Sequence, residues 1–276
     1  ATGGTGTYSY QWFSNTTNST TGGSLITGAI NPVFTPDTTT VGTLYYYCVV
    51  TTNASGCETI SSVSEVQVNE GPTISVNPLA TQTVCLDGAT TILEVDHING
   101  VGIPTYQWYS SLTCDNTDLS NPITGATTNT FTPLSTAVGA TNYFAVLTFA
   151  DGGCDPIPSA CALVTVVPDP VVTIDSAAPT PICIDGSISD IEVSTTGGTG
   201  TVSYEWYVSD VTGTLISIHP NSTDSTLFNP GIFTAAGQYY FVAVANFDGS
   251  GCDQAQSSVV TVEVVEDPTL TAPIVF

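Results

Sequence analysis

Eight cysteines carry the most specific chemistry in this chain of 276 residues. They occur without CxxC pairs or histidine clusters, so their spacing favours disulfides formed in an oxidising compartment over zinc ligands. Cys85 in TVCLDG and Cys183 in PICIDG occupy equivalent segments. Each precedes a glycine-cysteine turn, ending at Cys154 or Cys252, by the same number of residues. The sequence therefore predicts the disulfides Cys85–Cys154 and Cys183–Cys252.

The other four cysteines are assigned by exclusion. Cys114 and Cys161 are left over in the middle of the chain, and we expect them to pair. Cys48 could bond to Cys57, but a hairpin that turns at Asn-Ala-Ser-Gly would place Cys57 opposite about Thr52 instead. That pairing stays open, because the strand that would supply another partner for Cys57 would precede Ala1.

Aspartates gather near the same cysteines and suggest a calcium site. If the predicted disulfides form, three carboxylates near each of them converge, where calcium would find oxygen ligands and offset the negative charge. The candidates are Asp87, Asp151 and Asp155, followed by Asp185, Asp248 and Asp253. The alternative is that the Asp-Gly pairs simply form turns. Apart from calcium, we expect no cofactor.

The charge balance excludes several classes of partner. The chain has no Lys or Arg and 24 Asp plus Glu, a formal net charge of −24. Such a chain cannot neutralise phosphates, so nucleic acid and anionic lipid headgroups are not expected partners. No run approaches the ~18 apolar residues of a membrane helix, so direct membrane insertion is not expected. Motifs of phosphate loops, serine hydrolases and zinc proteases are missing, and His97 and His219 stand alone at predicted surface positions, so we expect no enzyme.

Aromatic, cysteine and proline positions recur with a period of about 97 residues. The landmarks are Trp12, Trp108 and Trp206; Tyr46, Tyr143 and Tyr240; Cys57, Cys154 and Cys252; and Pro72, Pro170 and Pro268. The sequence therefore predicts repeat one at residues 1–71, lacking its N-terminal strands, repeat two at 72–168 and repeat three at 169–266. Residues 267–276 match the start of a fourth repeat, and we expect the array to continue on both sides.

Within each repeat, short stretches of alternating polarity are separated by Gly, Pro, Asn and Asp, without helical periodicity. Segments such as TISVNP, TYQWYS and NYFAVLTF recur as strand candidates. This size and rhythm, with one Trp on strand C and one Tyr near the start of strand F, are typical of the immunoglobulin (Ig) sandwich. The sequence thus predicts an all-β fold of tandem immunoglobulin-like β-sandwich repeats of about 97 residues.

Strand alternation singles out one aromatic pair in each repeat. If each Trp and the Tyr of strand F point into the sandwich, the residues that follow them point outwards. The outward pairs are Phe13 with Tyr47, Tyr109 with Phe144, and Tyr207 with Phe241. Three interpretations are open. The pair stabilises its own sheet or lies under its own loops, contacts another chain or domain as the similar face of antibody variable domains does, or stacks on glycans.

The segment YQWFS…ITGAINPVFTPDTTTVGTLYYYC in repeat one resembles the Ig-like repeats of very large surface adhesins from gliding Bacteroidetes, which the type 9 secretion system exports. The phrase YQWYS…ITGATTNTFTPLSTAVGATNYF in repeat two matches it, and repeat three keeps the skeleton with a diverged middle, SIHPNSTDSTLFNP. The resemblance covers nearly the whole chain. It implies a non-catalytic stalk or filament segment of a secreted cell-surface adhesin, acting as a disulfide-stapled spacer between the cell and an adhesive tip.

The same resemblance implies O-glycosylation, because Bacteroidetes modify Ser or Thr that follows Asp. The segments DTT, DSA and DST make Thr38, Ser176 and Ser225 the candidate sites. Chance occurrence in a chain rich in Ser and Thr is the alternative.

Two other functions stay open: a self-assembling extracellular filament subunit, in which outward aromatics and edge strands pair between chains, and a carbohydrate-binding module. The expected partners are neighbouring repeats of the same chain, other copies in a filament, and glycans. The expected location is extracellular, at the cell surface, and a role in gliding motility is left open.

Overall fold

The computed structural model describes residues 1–150, 153–248 and 251–270, and all regular elements in these ranges are β-strands. Repeat one contains β1 (Tyr8–Asn15), β2 (Ser24–Leu25), β3 (Gly42–Thr52), β4 (Glu58–Ile60) and β5 (Ser64–Val68). Repeat two contains β6 (Thr73–Val76), β7 (Thr81–Cys85), β8 (Leu93–Glu94), β9 (Asp96–Ile98), β10 (Pro104–Ser111), β11 (Thr130–Phe131), β12 (Gly139–Phe149), β13 (Ile157–Pro158) and β14 (Ala162–Val167). Repeat three contains β15 (Val171–Ile174), β16 (Ile182–Cys183), β17 (Ile191–Thr196), β18 (Val202–Ser209), β19 (Leu215–Ile218), β20 (Leu227–Phe228), β21 (Gly237–Phe247), β22 (Ala255–Gln256) and β23 (Val260–Val265). Within the described ranges, no helix is available to cross a membrane.

Repeat three shows the complete sandwich. One sheet has the order β15-β17-β20, and the other has the order β16-β23-β21-β18-β19, with β22 also on β21. In Ig nomenclature these are the sheets A-B-E and A′-G-F-C-C′. Strand β23, VTVEVV, alternates buried and exposed side chains, because one of its faces packs on the core. The chain is therefore all-β and folds into Ig-like sandwiches.

A parallel strand pair distinguishes the A′ strands. In repeat three β16 runs parallel to β23, and in repeat two β7 runs parallel to β14. In repeat two the larger sheet has the order β10-β12-β14-β7, with β13 on β12, and the pairs β8–β11 and β6–β9 complete the strand pairing. The A′ strand thus lies beside strand G with a fixed register, which determines where its cysteine lies.

Repeat one contains a single sheet in the order β2-β1-β3-β4, with β5 also paired to β3. This sheet corresponds to strands C′, C, F and G of the complete sandwich. Trp12, Phe34 and Tyr46 form an aromatic cluster on it, with centroid separations of 5.7 Å from Phe34 to each of the other two rings. The core side of the sheet is open enough that Leu44 is 39% exposed.

Contacts divide the chain into two compact units. The first comprises Ala1–Ser75, His97–Thr105 and Thr148–Ile157, and the second comprises Val76–Asp96, Tyr106–Leu147 and Pro158–Phe276. The unit boundaries fall inside repeat two. They do not coincide with the repeat boundaries predicted from the sequence, which remain a prediction.

Candidate functional site

The tryptophan of strand C is a core residue in both complete repeats. Trp108 and Trp206 are fully buried, and their indole N–H groups donate to the carbonyl oxygens of Thr128 and Ser225, at 2.9 and 3.1 Å. The bond satisfies the one polar atom of a large buried side chain. The tryptophans therefore organise the repeats and are not available to a ligand.

Two of the three predicted outward aromatic pairs form. Phe13 stacks on Tyr47 with centroids 5.2 Å apart, and Tyr109 stacks on Phe144 at 5.3 Å. However, Tyr47 is 4% exposed and Phe144 is fully buried. The C–C′ loop of repeat one covers Tyr47 so closely that a Cβ at Gly23 would lie 2.7 Å from the Tyr47 hydroxyl. These contacts favour the interpretation in which the pair stabilises its own sheet beneath its own loops.

The third predicted pair, Tyr207 with Phe241, is wrong. Tyr207 lies opposite Val242, and Phe241 is 2% exposed and packs against Phe228 in the core. The inward position on strand F of repeat three is Phe241 rather than Tyr240. Between repeats two and three, the tryptophan, cysteine and proline landmarks are each separated by one residue more than Tyr143 and Tyr240. Tyr240 therefore lies one residue before the position that is equivalent to Tyr143. A slip of one residue in a strand reverses the face of every side chain.

The disulfide Cys114–Cys161 is present, with the two Cα atoms 5.8 Å apart. It joins the loop that follows β10 to the residue that precedes β14. Nearby, the Asn116 side-chain amide donates to the carbonyl of Ser159 at 2.8 Å. Together these contacts fasten the C–C′ loop of repeat two beside strand G.

The second disulfide joins Cys85 to Cys252, with Cα atoms 4.9 Å apart, so the predicted pairs Cys85–Cys154 and Cys183–Cys252 are both wrong. Repeat three shows the reason. Cys183 lies opposite Val265, at the end of the sheet where β21 begins, whereas Cys252 follows the other end of β21. Eleven strand residues span about 34 Å, so these two cysteines cannot meet within one repeat.

The Cys85–Cys252 bond therefore connects repeat two to repeat three. Two glycine turns pack together beside it: a Cβ at Gly251 would lie 2.5 Å from the Cα of Gly88. Gly198 of repeat three also donates its N–H to the carbonyl of Pro168 at 2.9 Å. We call this set of contacts the repeat junction: the Cys85–Gly88 turn of one repeat against the Gly251–Cys252 turn of the next. No side chain larger than hydrogen fits at Gly251 without displacing the opposite backbone.

The remaining cysteines are free thiols. Cys48 is buried opposite Trp12, and burial raises the pKa of its thiol. Cys57 is exposed, and its carbonyl accepts the N–H of Thr52, so the open Cys48–Cys57 pairing does not form. Cys154 is half-buried and Cys183 is exposed.

The carboxylate trio proposed for calcium in repeat three does not converge. Asp185 and Cys183 lie where β21 begins, whereas Asp248 follows its end. Asp87 and Asp185 have positive φ angles of 55° and 62°, at the third position of a tight turn. The predicted trios were Asp87, Asp151 and Asp155, and Asp185, Asp248 and Asp253; Asp151 lies outside the described residues. Across the described ranges, no three metal-ligating side chains are grouped closely enough to hold an ion.

The three candidate glycosylation sites differ in accessibility. Thr38 is exposed beside Asp37, whose carboxylate accepts the backbone N–H of Thr39 at 2.9 Å. Ser176 and Ser225 are half-buried, and their hydroxyl oxygens accept backbone N–H groups. Thr38 is therefore the most accessible of the three hydroxyl groups.

A recurring serine at the start of strand G was missed in the sequence. Ser61, Ser159 and Ser257 each accept the N–H of a strand F residue through their hydroxyl groups, at 2.9 to 3.0 Å. Each hydroxyl also donates to the carbonyl of the following residue. The serine replaces ladder bonds where strand G is interrupted. The available signal was its nearly constant position, four residues after Cys57 in repeat one and five residues after Cys154 and Cys252 in the other two.

The sandwiches and the covalent junction define a tandem Ig-like repeat protein with disulfides. A family model described as "Domain of unknown function (DUF8696)" matches residues 74–168. No curated protein matches the chain.

Three solved structures illustrate what the chain resembles. The I-band fragment I67–I69 from titin is 12% identical with a TM-score of 0.43, and the match covers 96% of this chain and 90% of that one. The Sidekick-1 immunoglobulin domains 1–5 are 18% identical with a TM-score of 0.39, covering 94% and 54%. The four N-terminal Ig domains of Dscam1 isoform 8.4 are 14% identical with a TM-score of 0.32, covering 81% and 55%. The chain thus spans about half the length of the last two.

Proposed function

We propose that the chain is a structural spacer: a stalk segment of a secreted cell-surface adhesin that holds an adhesive tip away from the cell. The observation that carries this proposal is the Cys85–Cys252 disulfide between repeats two and three. A ligand-binding module needs a stable domain, but it does not need a covalent bond to its neighbour. In a spacer under tension, such a bond keeps the junction between two repeats from opening.

The composition supports the same function. The chain has no Lys or Arg, so trypsin-like proteases find no cleavage site in it. A net charge of −24 without cations opposes non-specific association of copies. The sequence resemblance to adhesins of gliding Bacteroidetes supports export by the type 9 secretion system and an extracellular location, where disulfides persist. Within this proposal, exposed Thr38 is the preferred site of O-glycosylation.

Small-angle X-ray scattering of three forms of the chain tests the role of the junction. The first is the native chain, the second carries Cys85→Ser and Cys252→Ser, and the third carries Cys114→Ser and Cys161→Ser. We expect the second form to sample a wider range of maximum dimensions than the native chain, since its junction keeps only non-covalent contacts. The third form is the matched control, because it also lacks one disulfide but keeps the junction. Identical distance distributions for all three would show that the inter-repeat bond does not restrain the array.

A further inference from the structure

The Cys183 turn of repeat three has the same backbone structure as the Cys85 turn of the repeat junction. Cys183 lies opposite Val265 on the parallel strand G, as Cys85 lies opposite Val167. In both turns the glycine three residues later donates its N–H to the cysteine carbonyl at 3.0 Å. The turn that binds a glycine-cysteine partner in repeat two is therefore present again in repeat three.

The Cys85 turn has a turn of the next repeat packed against it, and the Cys183 turn differs in this respect. At the repeat junction, a Cβ at Gly88 would lie 3.0 Å from the Cα of Gly251 in the next repeat. The three atoms nearest to a Cβ at the equivalent Gly186 all belong to Ile182 and Cys183, beside it in the same turn, and Cys183 is exposed. The Cys183 turn is thus formed and accessible.

Repeat one contains an exposed copy of the other half of the repeat junction, the glycine-cysteine turn. Gly56 and Cys57 of repeat one are equivalent to Gly251 and Cys252, and both glycines have positive φ angles, 63° and 74°. A Cβ at Gly56 would have no described atom within 4 Å, and Cys57 is exposed. Repeat one therefore presents the glycine-cysteine turn without a partner turn against it in the described residues.

We propose that Cys183 forms a disulfide with the glycine-cysteine turn of a further Ig-like repeat of this type, reproducing the repeat junction. This deepens the proposed spacer function, on which it rests, by naming what the segment joins to. The two thiols lose two protons and two electrons as the S–S bond forms. A low-molecular-weight disulfide such as oxidised glutathione accepts them and is reduced to two thiols.

A second copy of the chain is the probe, because its repeat one supplies the required turn with Cys57. One copy carries Cys183→Ser and presents Cys57, and the other carries Cys57→Ser and presents Cys183. Both carry Cys154→Ser, which removes the half-buried thiol. The two are mixed in a glutathione redox buffer, and the products are separated without reduction and mapped by mass spectrometry after digestion with a protease other than trypsin.

We expect a heterodimer whose cross-linked peptide joins Cys183 to Cys57. The matched control replaces the second copy by one with Cys57→Ser, Cys154→Ser, Cys183→Ser and Ser217→Cys, since Ser217 is exposed on β19. Docking raises the effective concentration of the thiols, so the Cys183 copy should give at least roughly tenfold more heterodimer than the Ser217→Cys copy. Equal yields, or no cross-link, would overturn the proposal. The scattering experiment tests the spacer function through the Cys85–Cys252 junction and does not involve Cys183. Failure of the spacer function and failure of the Cys183 proposal would therefore give different results.

Discussion

At the scale of single residues, His219 shows how the fold changes the environment of a residue expected at the surface. Its ring packs edge-on against Phe228 and Phe241, with centroids 5.1 and 5.6 Å away. Nδ1 accepts the backbone N–H of Asn221 at 3.1 Å, which is consistent with a neutral ring. His219 follows β19 in a loop, as expected, but its ring is half-buried against the core and not fully exposed. Burial disfavours the charged form and lowers the pKa of His219 below its ordinary 6.5.

This pKa shift predicts a specific pH dependence of stability. Below pH 6.5 the unfolded chain binds a proton at His219. The folded chain binds this proton only at lower pH, near the pKa of His219 in the folded state. The contribution of the neutral ring to stability is thus complete above pH 6.5 and is lost as the pH falls through the folded pKa. We expect His219→Asn, whose side-chain oxygen can still accept the Asn221 N–H, to reduce the drop in Tm between neutral pH and the lower pKa. The same drop in both proteins would show that another group controls it.

At the scale of elements, strand register decides which aromatic residue of repeat three is core. We expect Phe241→Ala to cost about 3–5 kcal/mol, because it removes a buried ring from between Phe228 and Phe233. Tyr240→Ala on the opposite face should change the free energy of unfolding by less than about 1 kcal/mol. Denaturant titration of the two variants measures both values. The reverse ranking would support the register inferred from the sequence.

The recurring serine of strand G provides a second test at this scale. Ser159 is fully buried, and its hydroxyl accepts the N–H of buried Ala145 at 3.0 Å. Ser159→Ala leaves that N–H without its acceptor, at an expected cost of about 1–3 kcal/mol in the free energy of unfolding. Ser217→Ala, at an exposed position, should stay within about 0.5 kcal/mol in the same denaturant titration. A loss at Ser159 no larger than at Ser217 would mean that water replaces the hydroxyl.

These elements also show what could be predicted from the sequence. Alternation and the tryptophan period were sufficient for the all-β Ig-like fold, because they reflect local geometry. The Cys114–Cys161 pair followed by exclusion, but the partners of Cys85 and Cys183 were not predictable in the same way. The equal spacing of Cys85 and Cys183 from the following turns is compatible with bonds within a repeat or between repeats. The choice depends on the parallel register of β7 on β14, which is a long-range contact and leaves no periodic pattern in the sequence.

At the scale of the whole molecule, the dominant electrostatic feature is a net charge of −24 on a chain without Lys or Arg. Folding brings these carboxylates closer together than they are in the unfolded chain, so their mutual repulsion destabilises the compact state. Added salt shortens the screening length from ~30 Å at 0.01 M to ~8 Å at 0.15 M. The chain has almost no attractive ion pairs that salt could weaken. Screening should therefore only reduce the repulsion between carboxylates and stabilise the folded state.

We therefore expect the Tm to rise steadily with NaCl across this range, as measured by calorimetry. A decrease would mean that attractive ion pairs, and not repulsion, dominate the folded state. Repeating the titration with CaCl2 at matched ionic strength separates screening from binding, because a specific site adds stability beyond screening. Asp185 and Asp248, proposed for one calcium site, lie at opposite ends of strand F, and the described residues contain no group of three metal-ligating side chains. The two salts should therefore give the same curve, and a higher Tm in CaCl2 would show that carboxylates come together in solution to form a cation site.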